Sequence, residues 1–252
     1  MTRSLEGKVV LISGTGGGIG RAGALRFSQA GAIVVGCDVD VANAAETQAQ
    51  VAATGGTMLD VSPVDLGDFD ECQRWVDRAV EEFGRIDVLW NNASSGVFAT
   101  IEAMTPAEWD RSIRNELTLV FLATKAAWSH LGVGGGLIVN TASVAGYGGG
   151  VAGIAHSATK WGVRGMTHVM AAEGAPLGIR AISVSPGVIE TPGSAKQLSQ
   201  PGVTEGLMER SLIPRLGQPD DIAKFVALLA SDDAGFATGA DFRVDGGLVN
   251  HG

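Results

Sequence analysis

Two side chains that could move a proton, His156 and Lys160, stand four residues apart in the stretch AHSATKWG. On a helix that spacing places them one turn apart on a single face. Imidazole titrates near neutral pH and is the commonest general acid/base. A neutral ring accepts a proton, which suits oxidation of an alcohol better than reduction of a carbonyl. A second cluster lies near the start of the chain. In LISGTGGGIGRAG the glycines are spaced Gly14-xxx-Gly18-x-Gly20, with Gly17 and Ile19 among them. Glycines let the backbone turn sharply, and a helix opening there offers its N–H groups to a pyrophosphate. The second apolar run ends in VVGCDVD, which sets Asp38 about 20 residues after the loop, where a carboxylate can bind adenosine ribose hydroxyls. A carboxylate repels a 2′-phosphate, and no Arg or Lys follows between Asp38 and Asn43, so NAD is favoured over NADP. The bland alternative for Asp38 is a solvated cap on the next helix.

These groups need elements to hold them. Short β-branched runs recur at Val9–Ser13, Ile33–Cys37, Thr57–Asp60, Ile86–Asn91, Leu137–Thr141, Arg180–Ser185 and Asp241–Val244. Helical patterns fill the gaps, notably Ile19–Ala30, Asp68–Phe83, Pro106–Leu131, Ile154–Ala175 and Pro219–Ala230. Strands alternating with helices predict an α/β fold, a doubly wound parallel sheet of about seven strands with helices on both faces. Ligands of such sheets bind at the carboxyl ends of the strands, where both clusters fall.

Composition narrows the function classes. The 252 residues suit one α/β domain, and the 37 glycines sit between periodic segments as turns do. Net charge is −9 with no dense Lys/Arg cluster, which argues against nucleic acid as a partner. No run of about 18 apolar residues predicts a membrane span. The N-terminal MTRSLEGK lacks the apolar run of a signal peptide, and two cysteines, Cys37 and Cys72, fit a reducing cytoplasm better than a disulfide framework. His130 and His168 fall on predicted helices without companion ligands and His251 lies in the tail, so no metal site is expected.

Beyond these readings, Gly14-xxx-Gly18-x-Gly20 resembles the nucleotide loop of the short-chain dehydrogenase/reductase family, and further family landmarks follow in order almost end to end. Asp65-Leu66 resembles the acidic pair that contacts adenine. NNAS, Asn91–Ser94, resembles the Asn-Asn-Ala-Gly turn, with Asn92 in the cofactor set. Asn115 in RNELTLVF matches the helix asparagine, and Ser143 in IVNTASVAG matches the serine that orients the substrate oxygen. SPGVIETP resembles the segment over the nicotinamide, with Ile189 and Thr191 at the carboxamide-contacting places. RLGQPDDIAKFVALLAS and TGADFRVDGG resemble the closing helix and strand. The resemblance implies one Rossmann-like NAD-binding domain over residues 1–252. It implies hydride transfer between NAD(H) and a neutral secondary alcohol or ketone, with Asn115, Ser143, His156 and Lys160 as the catalytic set.

Three positions depart from the family pattern. Ser13 stands for the usual threonine and keeps the hydroxyl. Ser94 stands for the glycine of the Asn-Asn-Ala-Gly turn, which predicts backbone strain or a narrowed site. His156 stands where the family places the tyrosine that exchanges a proton with substrate, thirteen residues after Ser143. In the family the lysine lowers that phenol's pKa and holds the nicotinamide ribose. An imidazole ends roughly 2 Å short of a phenol oxygen, so a bridging water can be required for direct reach of about 3 Å. The single tyrosine of the chain, Tyr147, lacks the helical pairing with Lys160 and is expected in the pocket wall or in loop packing. Two alternatives stay open. One is a non-redox lyase, isomerase or cyclase on the same scaffold. The other is a cofactor-binding protein inactivated at His156.

The segment at about 192–216 falls where the family carries a mobile substrate loop, and its prolines and glycines suit a lid with a short helix including Leu207 and Met208. Val97, Phe98, Val144, Tyr147 and Val188 are expected to form an apolar wall, which suits a neutral alicyclic or aromatic substrate. The family also implies a homo-oligomer, a dimer of dimers, through the helices over Pro106–Leu131 and Ile154–Ala175.

Overall fold

The computed structural model of the chain describes residues 5–131 and 134–249, so His251 and the last few residues of the expected domain lie outside the description. Seven parallel strands form one sheet in the order β3-β2-β1-β4-β5-β6-β7. They are β1 (Val9–Ser13), β2 (Ile33–Cys37), β3 (Thr57–Asp60), β4 (Val88–Asn91), β5 (Leu137–Thr141), β6 (Arg180–Pro186) and β7 (Ala240–Val244). Their central members are buried along their whole length, as in β1, because both faces are covered. That is why the strands read as continuous apolar runs with no alternation. Against one face pack α3 (Phe69–Phe83), α5 (Leu119–Leu131) and α6 (Ile154–Gly174). Against the other pack α1 (Gly18–Gln29), α2 (Val41–Ala53) and α9 (Pro219–Ala230). The strand order reverses direction at the β1–β4 boundary, and the carboxyl ends of these strands open the crevice expected of such sheets.

Local chemistry sets the helix boundaries. Asp68 caps α3 by accepting from the Asp70 and Glu71 N–H groups, and Gly84 ends it at φ +73. Helix α4 (Pro106–Ile113) opens with a capping box between Thr105 and Glu108 and has proline at its first position. Helix α2 stands out least in the sequence, and Asp40 is its cap, accepting from Asn43 N–H at 3.1 Å. Asp38, two residues earlier, therefore is not the helix cap. Strand β4 begins at Val88, later than the pattern from Ile86 suggests, because the Asp87 carboxylate accepts the β1 N–H of Val9 at 2.8 Å.

One expected element is different in kind. The pattern from Pro106 to Leu131 reads as one helix, but α4 and α5 are joined by a π-helical turn, Arg114–Thr118. A π turn holds an extra residue per turn and so changes which side chains face inward beyond it. Asn115 and Glu116 lie in this turn, and Glu116 is buried.

Beyond β6 the chain makes α7 (Ala195–Leu198) and α8 (Val203–Arg210), the latter containing Leu207 and Met208. The two ends of this excursion are tied together. Gly217 N–H donates to Val188 at 3.0 Å and Glu190 N–H donates to Gly217 at 2.9 Å.

Candidate active site

A cleft of about 850 Å3 runs along the carboxyl ends of the strands. At one end lies the loop from β1 to α1. Gly14 (φ +74) and Gly18 (φ +51) hold backbone conformations that favour glycine. Helix α1 opens at Gly17 with no side-chain cap and no acidic residue in its first turn, which leaves its first N–H groups for a ligand. Gly17, Gly18 and Ile19 line the cleft. Gly20 does not; it sits behind the loop, where a Cβ would fall 2.0 Å from the Gly14 carbonyl oxygen. Asp38 lines the same end, and its Oδ2 accepts from Gly16 N–H at 2.7 Å while Oδ1 accepts from Asp40 N–H at 2.9 Å. Asp65 and Leu66 follow on the adjacent wall, where Arg114 donates to the Asp65 carboxylate at 2.7 Å and holds it below the usual carboxylate range. An uncapped helix N-terminus facing a carboxylate across a glycine-only gap fits a dinucleotide: pyrophosphate at the one, ribose at the other.

The floor is stitched by Ser13. Its hydroxyl accepts from the N–H groups of Asn92 and Ala93 at 2.9 and 3.0 Å, tying the end of β1 to the turn after β4. Asn92 in turn donates Nδ2 to the Ser13 carbonyl at 3.0 Å. Asn92, Ile189 and Thr191 all line the cleft.

At the other end stand Ser143, His156 and Lys160; Asn115 also lines the cleft, but its Oδ1 accepts at 3.2 Å from Arg114, the partner of Asp65. Ser143 follows β5 and caps the short turn Val144–Gly146, its Oγ accepting from Ala145 N–H at 3.1 Å. Asn115 offers its carbonyl to Ser95 N–H at 3.2 Å. His156 and Lys160 share a face of α6, as their spacing predicts. Lys160 is 3% exposed and its Nζ donates to the Thr141 carbonyl at 3.1 Å. Burial lowers the Lys160 pKa, against the opposing pull of Glu116.

Glu116, which the sequence reading passed over, is the centre of this end. It is 2% exposed. Its Oε1 meets His156 Nδ1 at 2.8 Å and accepts from Ser94 Oγ at 3.0 Å; its Oε2 accepts from Thr159 Oγ1 at 2.7 Å. Gly96 leaves room for the carboxylate, since a Cβ there would come within 2.7 Å of Oε1. Burial by itself would push the Glu116 carboxyl up. The His156 hydrogen bond, the Lys160 charge and Thr159 outweigh it and bring the carboxyl from an ordinary 4.5 down to about 2. A carboxylate only accepts, so the hydrogen of the contact sits on His156 Nδ1. His156 Nε2 has no hydrogen-bond partner among the described residues, and the ring lies 5.1 Å from Phe98. Ser94 adopts no positive φ, so the strain expected there is absent; its hydroxyl serves Glu116. In the sequence the only available signal was an acidic residue directly after Asn115.

The apolar wall is partly as expected. Phe98, Val144 and Val188 line the cleft, whereas Val97 and Tyr147 do not. The Tyr147 hydroxyl is taken by Asp241 and its ring is covered by the Arg164 guanidinium at 3.7 Å, so it belongs to loop packing. Leu207 lines a separate cavity of about 220 Å3 between α8 and α9. His130 lies on α5 and His168 on α6, and among the described residues no three His, Cys, Asp or Glu side chains gather as a metal site.

Comparison with known proteins agrees with this geometry. A family model described as enoyl-(acyl carrier protein) reductase matches residues 14–249. The chain is 36% identical over 246 residues to a 3-oxoacyl-[acyl-carrier-protein] reductase of Thermotoga maritima, covering 97% of this chain and 99% of that one. It is 36% identical over 252 residues to a cyclohexanol dehydrogenase of Acinetobacter sp., covering 99% and 98%. The solved structure of a short-chain dehydrogenase/reductase variant from Serratia marcescens superposes with a TM-score of 0.91 at 29% identity, over 97% of this chain and 99% of that one. The relatives are dehydrogenases and reductases, and this chain belongs to the short-chain dehydrogenase/reductase family.

Proposed function

We propose that the protein is an NAD(H)-dependent oxidoreductase that interconverts a neutral secondary alcohol and its ketone, with His156 in the acid/base position of the family's tyrosine. The observation that carries this reading is one cleft holding the uncapped start of α1 and Asp38 at one end, and Ser143, His156 and Lys160 at the other. When bound, the nicotinamide cofactor supplies the hydride acceptor or donor. The α1 N–H groups with Gly14, Gly17, Gly18 and Ile19 would hold its pyrophosphate, and Gly20 would keep that loop close to the sheet. Asp38 would take the adenosine ribose and repel a 2′-phosphate, which selects NAD. Asp65 and Leu66 would meet adenine, Ile189 and Thr191 the carboxamide, and Lys160 the nicotinamide ribose, with Asn92 completing the cofactor set.

Ser143 orients the substrate oxygen. In oxidation His156 Nε2 receives the hydroxyl proton, directly or through one water that makes up for the shorter imidazole, and Asn115 supports the relay to solvent. Phe98, Val144 and Val188 offer an apolar wall suited to an alicyclic or aromatic substrate, and one relative is named a cyclohexanol dehydrogenase. Residues 192–216 act as the substrate loop within a single domain, hinged where Val188, Glu190 and Gly217 pair. Phe121, Trp161 and Val169 are about half exposed on α5 and α6, which supports a dimer of dimers through these helices. Two buried free thiols suit a cytoplasmic setting, and no helix of the described chain is long and apolar enough to cross a membrane.

The test is NADH formation with a panel of alicyclic and aromatic secondary alcohols. NADP+ is expected to support much less turnover. Cofactor binding with no NADH formed from any alcohol, and none consumed by any ketone, would refute the proposal. An isomerised or dehydrated product made regardless of the cofactor's oxidation state would favour the non-redox alternative.

A further inference from the structure

Two residues that depart from the family pattern, Ser94 and His156, converge on Glu116. Thr159, one helical turn from Ala155 on α6, gives the other oxygen its donor, and Gly96 supplies the space. Three polar hydrogens on one carboxylate that is 2% exposed make a built seat, and its only ring partner is the imidazole that faces the cleft. A surface ion pair would show neither the burial nor donors on both oxygens, although the Thr159 hydroxyl also lies 2.8 Å from the His156 carbonyl.

We propose that Glu116 is the positioning residue of a Glu–His acid/base pair, its carboxylate fixing the hydrogen on Nδ1 so that Nε2 is the one basic nitrogen presented to the substrate. This deepens the function proposed above and rests on His156 being the group that takes the proton. In oxidation the alcohol hydroxyl proton would pass to Nε2, and bound oxidised nicotinamide would supply the acceptor for the carbinol hydride and its electron pair, leaving the ketone. The imidazolium so formed lies 2.8 Å from an ionised carboxylate, which offsets its charge without taking the proton. The proton then leaves Nε2 for solvent. The charged groups around the ring are Glu116 from the π-helical turn and Lys160 from the ring's own helix; Ser94, Phe98 and Thr159 are neutral. The Lys160 charge acts on the same carboxylate, so Glu116 offsets both cations when His156 is protonated.

The pair and the oxidoreductase reading are tested separately on the full chain. Protein labelled with 15N-histidine is observed at alkaline pH, with His156→Phe identifying the resonance. The neutral ring is expected in the Nδ1–H form. Glu116→Gln, whose amide oxygen can still accept from Nδ1, should keep that form but lose the charge. The acid limb of its pH–rate profile should move to lower pH by about one unit, with turnover on the plateau above the limb lower by about 10-fold. Glu116→Leu should lose the Nδ1–H form and about 100-fold in turnover. Nε2–H as the wild-type form, or a tautomer unchanged in Glu116→Leu, overturns the proposal; so does an acid limb unmoved in Glu116→Gln. If Glu116→Leu does not fold, the wild-type tautomer and the Glu116→Gln limb decide. Should no alcohol be oxidised by the wild type, the oxidoreductase reading fails by itself, while the tautomer still shows whether Glu116 sets the ring.

Discussion

Replacing His156 with phenylalanine should destabilise the fold through Glu116. Phenylalanine keeps a flat ring beside Phe98 but removes the donor 2.8 Å from Oε1. Water cannot fully replace that donor at a carboxylate 2% exposed, and an underpaired buried charge is among the costlier single-site defects. The size follows from the carboxyl itself. Its partners hold it at about 2 against an ordinary 4.5, in spite of burial that pushes it up. At about 1.4 kcal/mol per pH unit that corresponds to about 3 kcal/mol of native-state preference for the ionised form. Among the lowering influences the His156 hydrogen bond is the largest, so its removal should cost about 2 kcal/mol, or about 4–8 °C in Tm. The sign is fixed by the depressed folded-state value. The stabilisation is fully present above 4.5 and is lost as pH falls toward 2, so the gap between wild type and variant should be full at pH 7 and shrink below pH 4.5. Urea unfolding of the wild type, His156→Phe, Glu116→Gln and the double variant gives the coupling directly. It should be about 1 kcal/mol, because once Glu116 is Gln the His156→Phe change costs only the neutral hydrogen bond that the amide oxygen accepts. A coupling below about 0.5 kcal/mol would show that the two residues act independently and refute the reasoning.

Gly20→Ala should destabilise the chain by about 1–3 kcal/mol and abolish NAD+ binding in calorimetry, because the added Cβ falls 2.0 Å from the Gly14 carbonyl oxygen and must push the loop from the sheet. Asp38→Ala should narrow the preference for NAD+ over NADP+ by about 10-fold or more in kcat/KM, measured with one alcohol and both cofactors, since the charge that repels a 2′-phosphate is gone. An unchanged ratio would move the discrimination elsewhere. Lys160→Met should lower kcat/KM by about 100-fold and weaken NAD+ binding, read from initial rates and calorimetry. It should also raise the Glu116 carboxyl, whose ionised form loses the Lys160 charge.

The parallel α/β sheet was legible before any packing, because each strand writes its burial as a local β-branched run and each helix its caps and breaks within a few residues. It also placed the cleft's components: the glycine loop, Asp38 at the end of β2, and the His156–Lys160 spacing on one helical face. Those signals are short-range, and they survived because the chain positions them within single elements. Glu116 was not legible in this way. In RNELTLVF it reads as an ordinary charged residue on a helix, where glutamate is almost always solvated. Its burial depends on a π-helical turn that changes the inward-facing phase after Ile113. Its three partners come from two separate stretches, Ser94 after β4 and His156 and Thr159 on α6, 22, 40 and 43 residues away. The same distance hid the fate of Tyr147, turned to Asp241 and Arg164, and of Ser94, whose expected strain became a hydrogen bond. Which residue types the site contains was written locally; which of them meet, and so which nitrogen of His156 carries the hydrogen, was decided by the packing of α6 against the π-helical turn.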